Sequence, residues 1–569
     1  MTNNIRVFLW LALALGVWVN YTQWQHDYAP KPETAAVETG ATGGTKPHAL
    51  SDSVPQVVQT APAPTTTPGA TPAPIEPGTA AAPQSETEVG TRKIRVTTDV
   101  LTVDVSVLGG SLVRAELPAY PQVKGEAAPV VLLNTDSPAT NYVLQSGLTN
   151  PKDADRPTHR AVFTSASDSY SLAPGQNELR VPLSWTDGKG VTVTKTYVFE
   201  RSLYRIGLEY RIDNATQAPW QAASYTQISR TDPPVERSMF KVESFATRCP
   251  AIYDGTKYRK LKIEKPEDSA LSIDVTHGWI AGMQHHFVSA VVPDPAKPYH
   301  FTLQVNGREY LLSAVGQLQT VAPGATATFK ETLFVGPKLQ AQLDQTHPEL
   351  SRVADYGVLT LLSKPLFAML EIAHSVVRNW GLSIILVTFL LKLLFYPLAQ
   401  YSGKSMARMR NLTPRMKALQ ETYKDDREKL GRATMELYKA EKVNPLSGCL
   451  PMFIQMPVFL AFYWVLLESV EMRQAPFFGW INDLSARDPF FILPALNGLA
   501  MWFQYKLNPP PPDPMQAKVF QFMPLVFSVM FALFPAGLVL YWVTNTGLSI
   551  LQQWNINRHI AELDKARRK

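Results

Sequence analysis

Long apolar runs and short alternating ones divide the chain into regions of different kinds. Gly381–Gln400, GLSIILVTFLLKLLFYPLAQ, is long enough to cross a bilayer as one helix, yet it carries Lys392 near its middle. A lysine at bilayer depth costs roughly 2.5–3.5 kcal/mol, so its ammonium must face protein or water. Thr388, four residues earlier, falls on the same helical face. Two readings stay open: Lys392 snorkels to the cytoplasmic headgroups, or it lines a polar cavity inside the membrane. Four further spans are predicted at about 449–467, 490–506, 519–534 and 537–555. The first run, Ile5–Trp24, has no small-residue cleavage site and passes into Trp18, Asn20, Tyr21, Gln23 and Trp24. That pattern predicts an uncleaved N-terminal transmembrane anchor over 1–24, its start in the cytoplasm.

Period-two alternation marks a different region. Stretches such as VTVTKTYVFE and YRIGLEYRI, with turn signals at Asp187-Gly188 and Asn306-Gly307, predict a large antiparallel β-sandwich over 92–340. Residues 25–91 are rich in Pro, Ala and Thr and predict a disordered linker. Between Tyr356 and Arg378 an apolar stripe (Leu362, Leu366, Met369, Leu370, Ala373, Val377) opposes Lys364, Glu371 and His374. It predicts an interfacial amphipathic helix within 341–378, on the outer side of the membrane. After Gln400, Met406, Met409, Leu412, Met416, Leu419 and Tyr423 recur at helical steps. A second helix starting at Asp425-Asp426 completes a helical hairpin over 401–447. Its methionines read either as a pliable recognition surface or as hairpin core.

Charge sets the orientation. The net charge of +6 is uninformative until divided by location. The hairpin carries Lys404, Arg408, Arg410, Arg415 and Lys417 among other bases, and the tail 557–569 ends in Arg567, Arg568 and Lys569. By the positive-inside rule both are cytoplasmic, which gives six spans with both termini inside and the β domain outside. No zinc spacing or aromatic-interleaved basic module points to sequence-specific nucleic-acid recognition. The two cysteines, Cys249 and Cys449, read as structural. His277, His285, His286 and His300 lack metal-ligand spacing and, in sequence, a paired carboxylate, so they read as surface or core residues.

Polar residues recur inside the spans: Gln455, Asn497, Gln521, Thr544, Asn545, Thr546 and Ser549. Singly each reads as interhelical glue. With Lys392 and Thr388, Gln455 and Asn545 favour a wet groove. The fold class is thus a polytopic α-helical membrane protein with a large all-β outer domain.

NWGLSIILVTFLLKLLFYPL, SMARMRNLTPRMKALQETY, LYKAEKVNPLSGCLPMFIQMPVFLAFYWVL, RQAPFFGWINDLSARDPFFILP, DPMQAKVFQFMP and FPAGLVLYWVTN together resemble the YidC/Oxa/Alb family of membrane protein insertases. The anchor, linker and β domain resemble the Gram-negative YidC arrangement, whose periplasmic domain is similar to sugar-binding mutarotase-like folds. The resemblance implies a five-helix insertase core over 379–556 in the bacterial inner membrane, working alone or beside the Sec translocon. It implies no cofactor, no metal and no catalytic site. Lys392 stands where the family usually has arginine, keeping the charge without the planar fork. Thr388 matches the groove threonine, and Tyr541-Trp542 an aromatic pair whose second member is commonly tyrosine. Met406, Arg408, Met409, Arg410, Met416, Arg567 and Arg568 match elements that engage nascent chains or the ribosome. Nascent membrane proteins, the Sec translocon with its accessory subunits, the ribosome and membrane lipids are the partners implied. The competing functions are a transporter or channel for an anionic solute and an anchored periplasmic carbohydrate-binding protein.

Overall fold

The computed structural model describes residues 50–57, 92–152, 155–233, 248–354, 356, 359–423, 426–441, 450–507 and 514–568. The anchor expected over 1–24, most of the linker expected over 25–91, and Cys449 lie outside them. The chain divides into two units, one built from His48–Gly357 with Glu468–Arg473, the other from Val358–Leu467 with Gln474–Lys569.

The first unit is two packed sheets, one of eleven strands and one of eight. Alternation in sequence becomes alternation in burial: in Val191–Glu200 the odd positions are buried and the even ones are partly or wholly exposed. The two sheets share a core that includes Val193, Tyr197, Phe199, Leu208 and Trp279. Asp187-Gly188 and Asn306-Gly307 do turn hairpins, Gly188 and Gly307 holding φ of 68° and 61° that a side chain would strain. One pairing departs from the antiparallel expectation. Lys93–Thr97 runs parallel to Ser169–Ser171, a long-range pairing that no local pattern encodes. Cys249 is a free thiol, raised to about 11 by burial.

The core also holds an ionisable group. Lys195 is fully buried, donating from Nζ to the carbonyls of Gly109 at 2.8 Å and Ser146 at 3.0 Å. Burial pulls its ammonium well below the usual lysine range.

The second unit is helical. Its helices are α1 (Thr360–Val377), α2 (Trp380–Leu394), α3 (Tyr396–Thr422), α4 (Arg427–Ala440), α5 (Leu450–Glu468), α6 (Ile492–Leu507), α7 (Pro514–Phe531) and α8 (Ala536–Arg568). Asn379 caps α2 by accepting the Leu382 N–H at 3.0 Å, and Asp426 caps α4 by accepting that of Lys429 at 3.0 Å. The span expected over Gly381–Gln400 is not one straight helix. It breaks at Phe395, and the flanking helices diverge by 61°. Pro397, in the first turn of α3, lacks the N–H that would continue the ladder of α2. Among the described residues, α1 is long and apolar enough to cross a membrane, and the bent α2–α3 pair qualifies if taken together.

Glycine permits two close approaches. A Cβ on Gly381 would lie 2.1 Å from the Phe477 ring, and one on Gly403 2.9 Å from Ile556. The loop before α6 is pinned by Asp488, which is 1% exposed. Its carboxylate accepts from Trp480 Nε1 at 2.9 Å and from the backbone N–H of Phe490 at 3.1 Å and Leu493 at 2.6 Å. Large apolar side chains point outward along α7 (Phe522, Leu525, Val526, Val529) and α6 (Leu496, Leu499, Phe503). Stripes of this size on a water-soluble surface would drive association, and they suit a lipid solvent.

Candidate functional site

Lys392 and Thr388 face one cleft, walled by four helices. α2 supplies Thr388, Leu391 and Lys392, its break Phe395, and α3 Leu398 and Ala399. Gln455 and Val458 come from α5, and Tyr541, Asn545 and Gln552 from α8. The interior volume is about 60 Å³, room for a few water molecules.

The polar groups are arranged with a bias. Lys392 Nζ donates to Ser549 Oγ at 2.7 Å, and the Ser549 hydroxyl donates in turn to the Asn545 backbone carbonyl at 2.7 Å. Among the described residues no carboxylate pairs with Lys392. Among the described residues Ser549 is its one hydrogen-bond partner, which leaves two of its three N–H bonds for a guest. Thr388 donates to its own helix, at the Ile384 carbonyl 2.6 Å away, so it offers the cleft only lone pairs. Gln455 donates to Asn545 Oδ1. Among the described residues the buried Gln552 Nε2 has no partner. The cleft is rich in unused donors and carries one positive charge. Carboxylates and backbone carbonyls are the groups it suits.

Of the four other groove residues expected from sequence, three line the cleft and one does not. Gln455, Tyr541 and Asn545 line the cleft, with Tyr541 stacked on Phe462 at 4.7 Å between centroids. Trp542 does not. Its indole packs between Phe459 (4.9 Å) and Phe531 (5.2 Å), because adjacent residues on a helix point about 100° apart. Gln552 was missed, although Tyr541, Asn545, Ser549 and Gln552 follow one another at steps of four, four and three along one face.

In the hairpin, Met416 is buried against Leu412 and Tyr438, and Tyr438 Oη donates to its sulfur at 3.3 Å. Met409 packs on the same cluster, so these two methionines serve the hairpin's own core. Arg408 is exposed. The side chains of Met406, Arg410, Arg567 and Arg568 lie outside the described residues.

One histidine reading needs correction. His300 does have a carboxylate: Asp274 Oδ1 lies 2.7 Å from Nδ1, and Ser272 Oγ 2.9 Å from Nε2. The strands Ser272–Val275 and Tyr299–Asn306 place Asp274 opposite His300, a pairing only the register reveals. Solvent on that face screens the charges that make such trios reactive when enclosed.

Comparison with known proteins gives the family. A family described as 60Kd inner membrane protein matches residues 372–563, and one described as YidC periplasmic domain matches 93–369. The membrane protein insertase YidC of Thioalkalivibrio sulfidiphilus is 43% identical over 99% of this chain and 100% of its own length. The chain belongs to the YidC family of membrane protein insertases. The YidC of Nitrosococcus oceani is 42% identical over 98% of this chain and 99% of its own. A solved structure, an active YidC insertase with the first transmembrane domain resolved, is 18% identical over 81% of this chain and 92% of that one, at a TM-score of 0.35. In this YidC-family chain the all-β unit is the periplasmic domain, and the helical unit belongs to the inner membrane.

Proposed function

We propose that this chain inserts newly made proteins into the inner membrane by offering their polar flanking segments the Lys392 cleft. A hydrophilic segment crossing an apolar barrier loses water, and unpaired polar groups make that loss expensive. The cleft offsets it with the free N–H bonds of Lys392, the Gln552 amide and a few waters. Acidic residues in the segment gain in addition from the unpaired ammonium, in a medium of low dielectric. The substrate's apolar helix meanwhile moves along exposed apolar surface on α5 (Met456, Leu460) and α7 into lipid. The single observation that carries the reading is a positively charged, donor-rich cleft among helices with apolar outer faces.

The finer topology belongs to the same proposal. Six spans, counting the anchor at 1–24, place both termini in the cytoplasm and the β domain in the periplasm. The exposed bases of the hairpin, Arg408 and Arg415 among them, then meet the ribosome or the nascent chain on the cytoplasmic side. Sec translocon subunits and lipids contact the outer helical surfaces. No cofactor or nucleotide enters the mechanism: hydrophobic transfer and the membrane potential drive the step.

The test is rescue. In cells depleted of their own insertase, expression of this chain is expected to restore protease protection of a small single-span substrate to most of the undepleted level. Protection that stays at the depleted level, with the chain present in the membrane, contradicts the proposal.

A further inference from the structure

Trp220–Thr231, in the middle of the eleven-stranded sheet, is buried on both faces for nearly its whole length. One face meets the sandwich core, where Ala222 and Ile228 pack and Thr226 donates to Glu331 at 2.6 Å. The other face carries Tyr225, Gln227 and Ser229, polar groups that need a reason to be buried. Strand register sets Gln145, Gln227 and Ser313 side by side across three neighbouring strands on that outer face. Gln227 donates to Gln145 Oε1 at 2.7 Å, and Ser313 lies 3.5 Å from Gln227 Oε1.

A short piece of the chain's own N-terminal region covers this row. Leu50–Val57 lies against it, with Pro55 buried and a turn at Leu50–Ser53 closed by the Ser53 N–H on the Leu50 carbonyl at 3.0 Å. Its described hydrogen bonds with these strands, and one from Arg160, involve its backbone. Gln145 Nε2 donates to the Ser51 carbonyl at 3.1 Å and Gln227 Nε2 to the Ser53 carbonyl at 3.3 Å. The Arg160 guanidinium donates to the Asp52 carbonyl, and Glu309 Oε1 accepts the Ser51 N–H at 3.2 Å. Contacts of that kind recognise the backbone of a peptide turn. The fit is also incomplete: among the described residues the fully buried Ser229 hydroxyl on the same face has no partner.

We propose that the outer face of the eleven-stranded sheet is a binding site for a tight polypeptide turn, filled in the resting protein by its own Leu50–Val57 as a tethered plug. The ligand class is a peptide that folds into one tight turn, held through its carbonyls by Gln145, Gln227 and Arg160. Tethering gives the plug an effective concentration in the millimolar range, so a free peptide binds only when the plug is weakened. This site is separate from the Lys392 cleft, and its test needs no insertion activity.

The probe is a fluorescent peptide, HALSDSVPQV, matching residues 48–57, titrated by anisotropy against the full chain in detergent. Two variants weaken the plug without touching the sheet. One replaces residues 50–57 by Gly and Ser at equal length. The other is Ser51→Pro, which removes the amide that Glu309 accepts. Both are expected to bind the peptide at least tenfold more tightly than the parent. Adding Gln145→Met and Gln227→Met to either is expected to reverse the gain by at least tenfold. If the eight-residue replacement fails to fold, Ser51→Pro decides alone, with its melting point compared to the parent's. The proposal is overturned if folded variants gain no binding, if the parent binds equally well, or if the methionine substitutions leave the gain intact.

Discussion

Lys392→Ala is expected to cut insertion of a single-span substrate bearing an acidic translocated segment about thirty-fold, while Lys392→Arg stays within about threefold of the parent. The unpaired ammonium is the only charge among the cleft's described lining residues, and its hydrogen bond to Ser549 is to a neutral group. At an effective dielectric near 20 and a separation of about 8 Å, one carboxylate gains roughly 2 kcal/mol from it. If that gain is realised only while the segment is in the cleft, the rate follows it at about tenfold per 1.4 kcal/mol. A substrate with a neutral segment loses the attraction in no variant and is expected to change less than threefold. Arginine keeps the charge, though not the compact three-donor head that reaches Ser549. Rates of protease protection for the two substrates across the three proteins measure this. Equal insertion of the acidic substrate by parent and alanine variant sinks the electrostatic part of the mechanism and leaves Lys392 as a hydration residue.

Asp488→Ala is expected to cost the helical unit about 3–5 kcal/mol. Three donors converge on one buried carboxylate: the Trp480 indole and the backbone N–H groups of Phe490 and Leu493. Alanine leaves them stranded, and each unsatisfied buried donor costs roughly 1–3 kcal/mol. Asp488→Asn retains one carbonyl oxygen, which still serves Trp480 and Phe490, and turns an NH2 toward the Leu493 N–H. It is expected to lose about half as much. Denaturant unfolding in detergent, followed by tryptophan fluorescence, reads the difference. An alanine variant within about 1 kcal/mol of the parent shows that water replaces the carboxylate there.

What the sequence made legible follows the range over which each signal acts. Lys392 and Thr388 were readable because four residues of helix bring them to one face, and both line the cleft. The strand Val191–Glu200 was readable because its alternation is local. Trp542 was misplaced by treating adjacent aromatics as a pair, where a helix turns them apart. Gln552 continues the face of Tyr541 and Asn545 and was within reach of the same rule. Pro397 announced the bend at Phe395, yet an apolar run of twenty residues outweighed it. The parallel strand pair, the Asp274–His300 contact and the docking of Leu50–Val57 depend on partners far along the chain. Composition alone assigned that last segment to a linker. Its main-chain groups found acceptors and donors on a sheet assembled from residues up to 258 positions later.

The most direct test of the central claim is to ask what the cleft touches during insertion. A photoreactive benzophenone residue placed at Leu391 or Val458 lines the cleft, whereas one at Val529 sits on the exposed apolar face of α7. Ribosome-bound nascent chains of the single-span substrate, stalled midway, carry a polar flank and an apolar helix. The expected result is crosslinking of the polar flank from Leu391 and Val458, and of the apolar helix from Val529. Crosslinks to the apolar helix from all three positions, with none to the polar flank from the cleft, contradict the account.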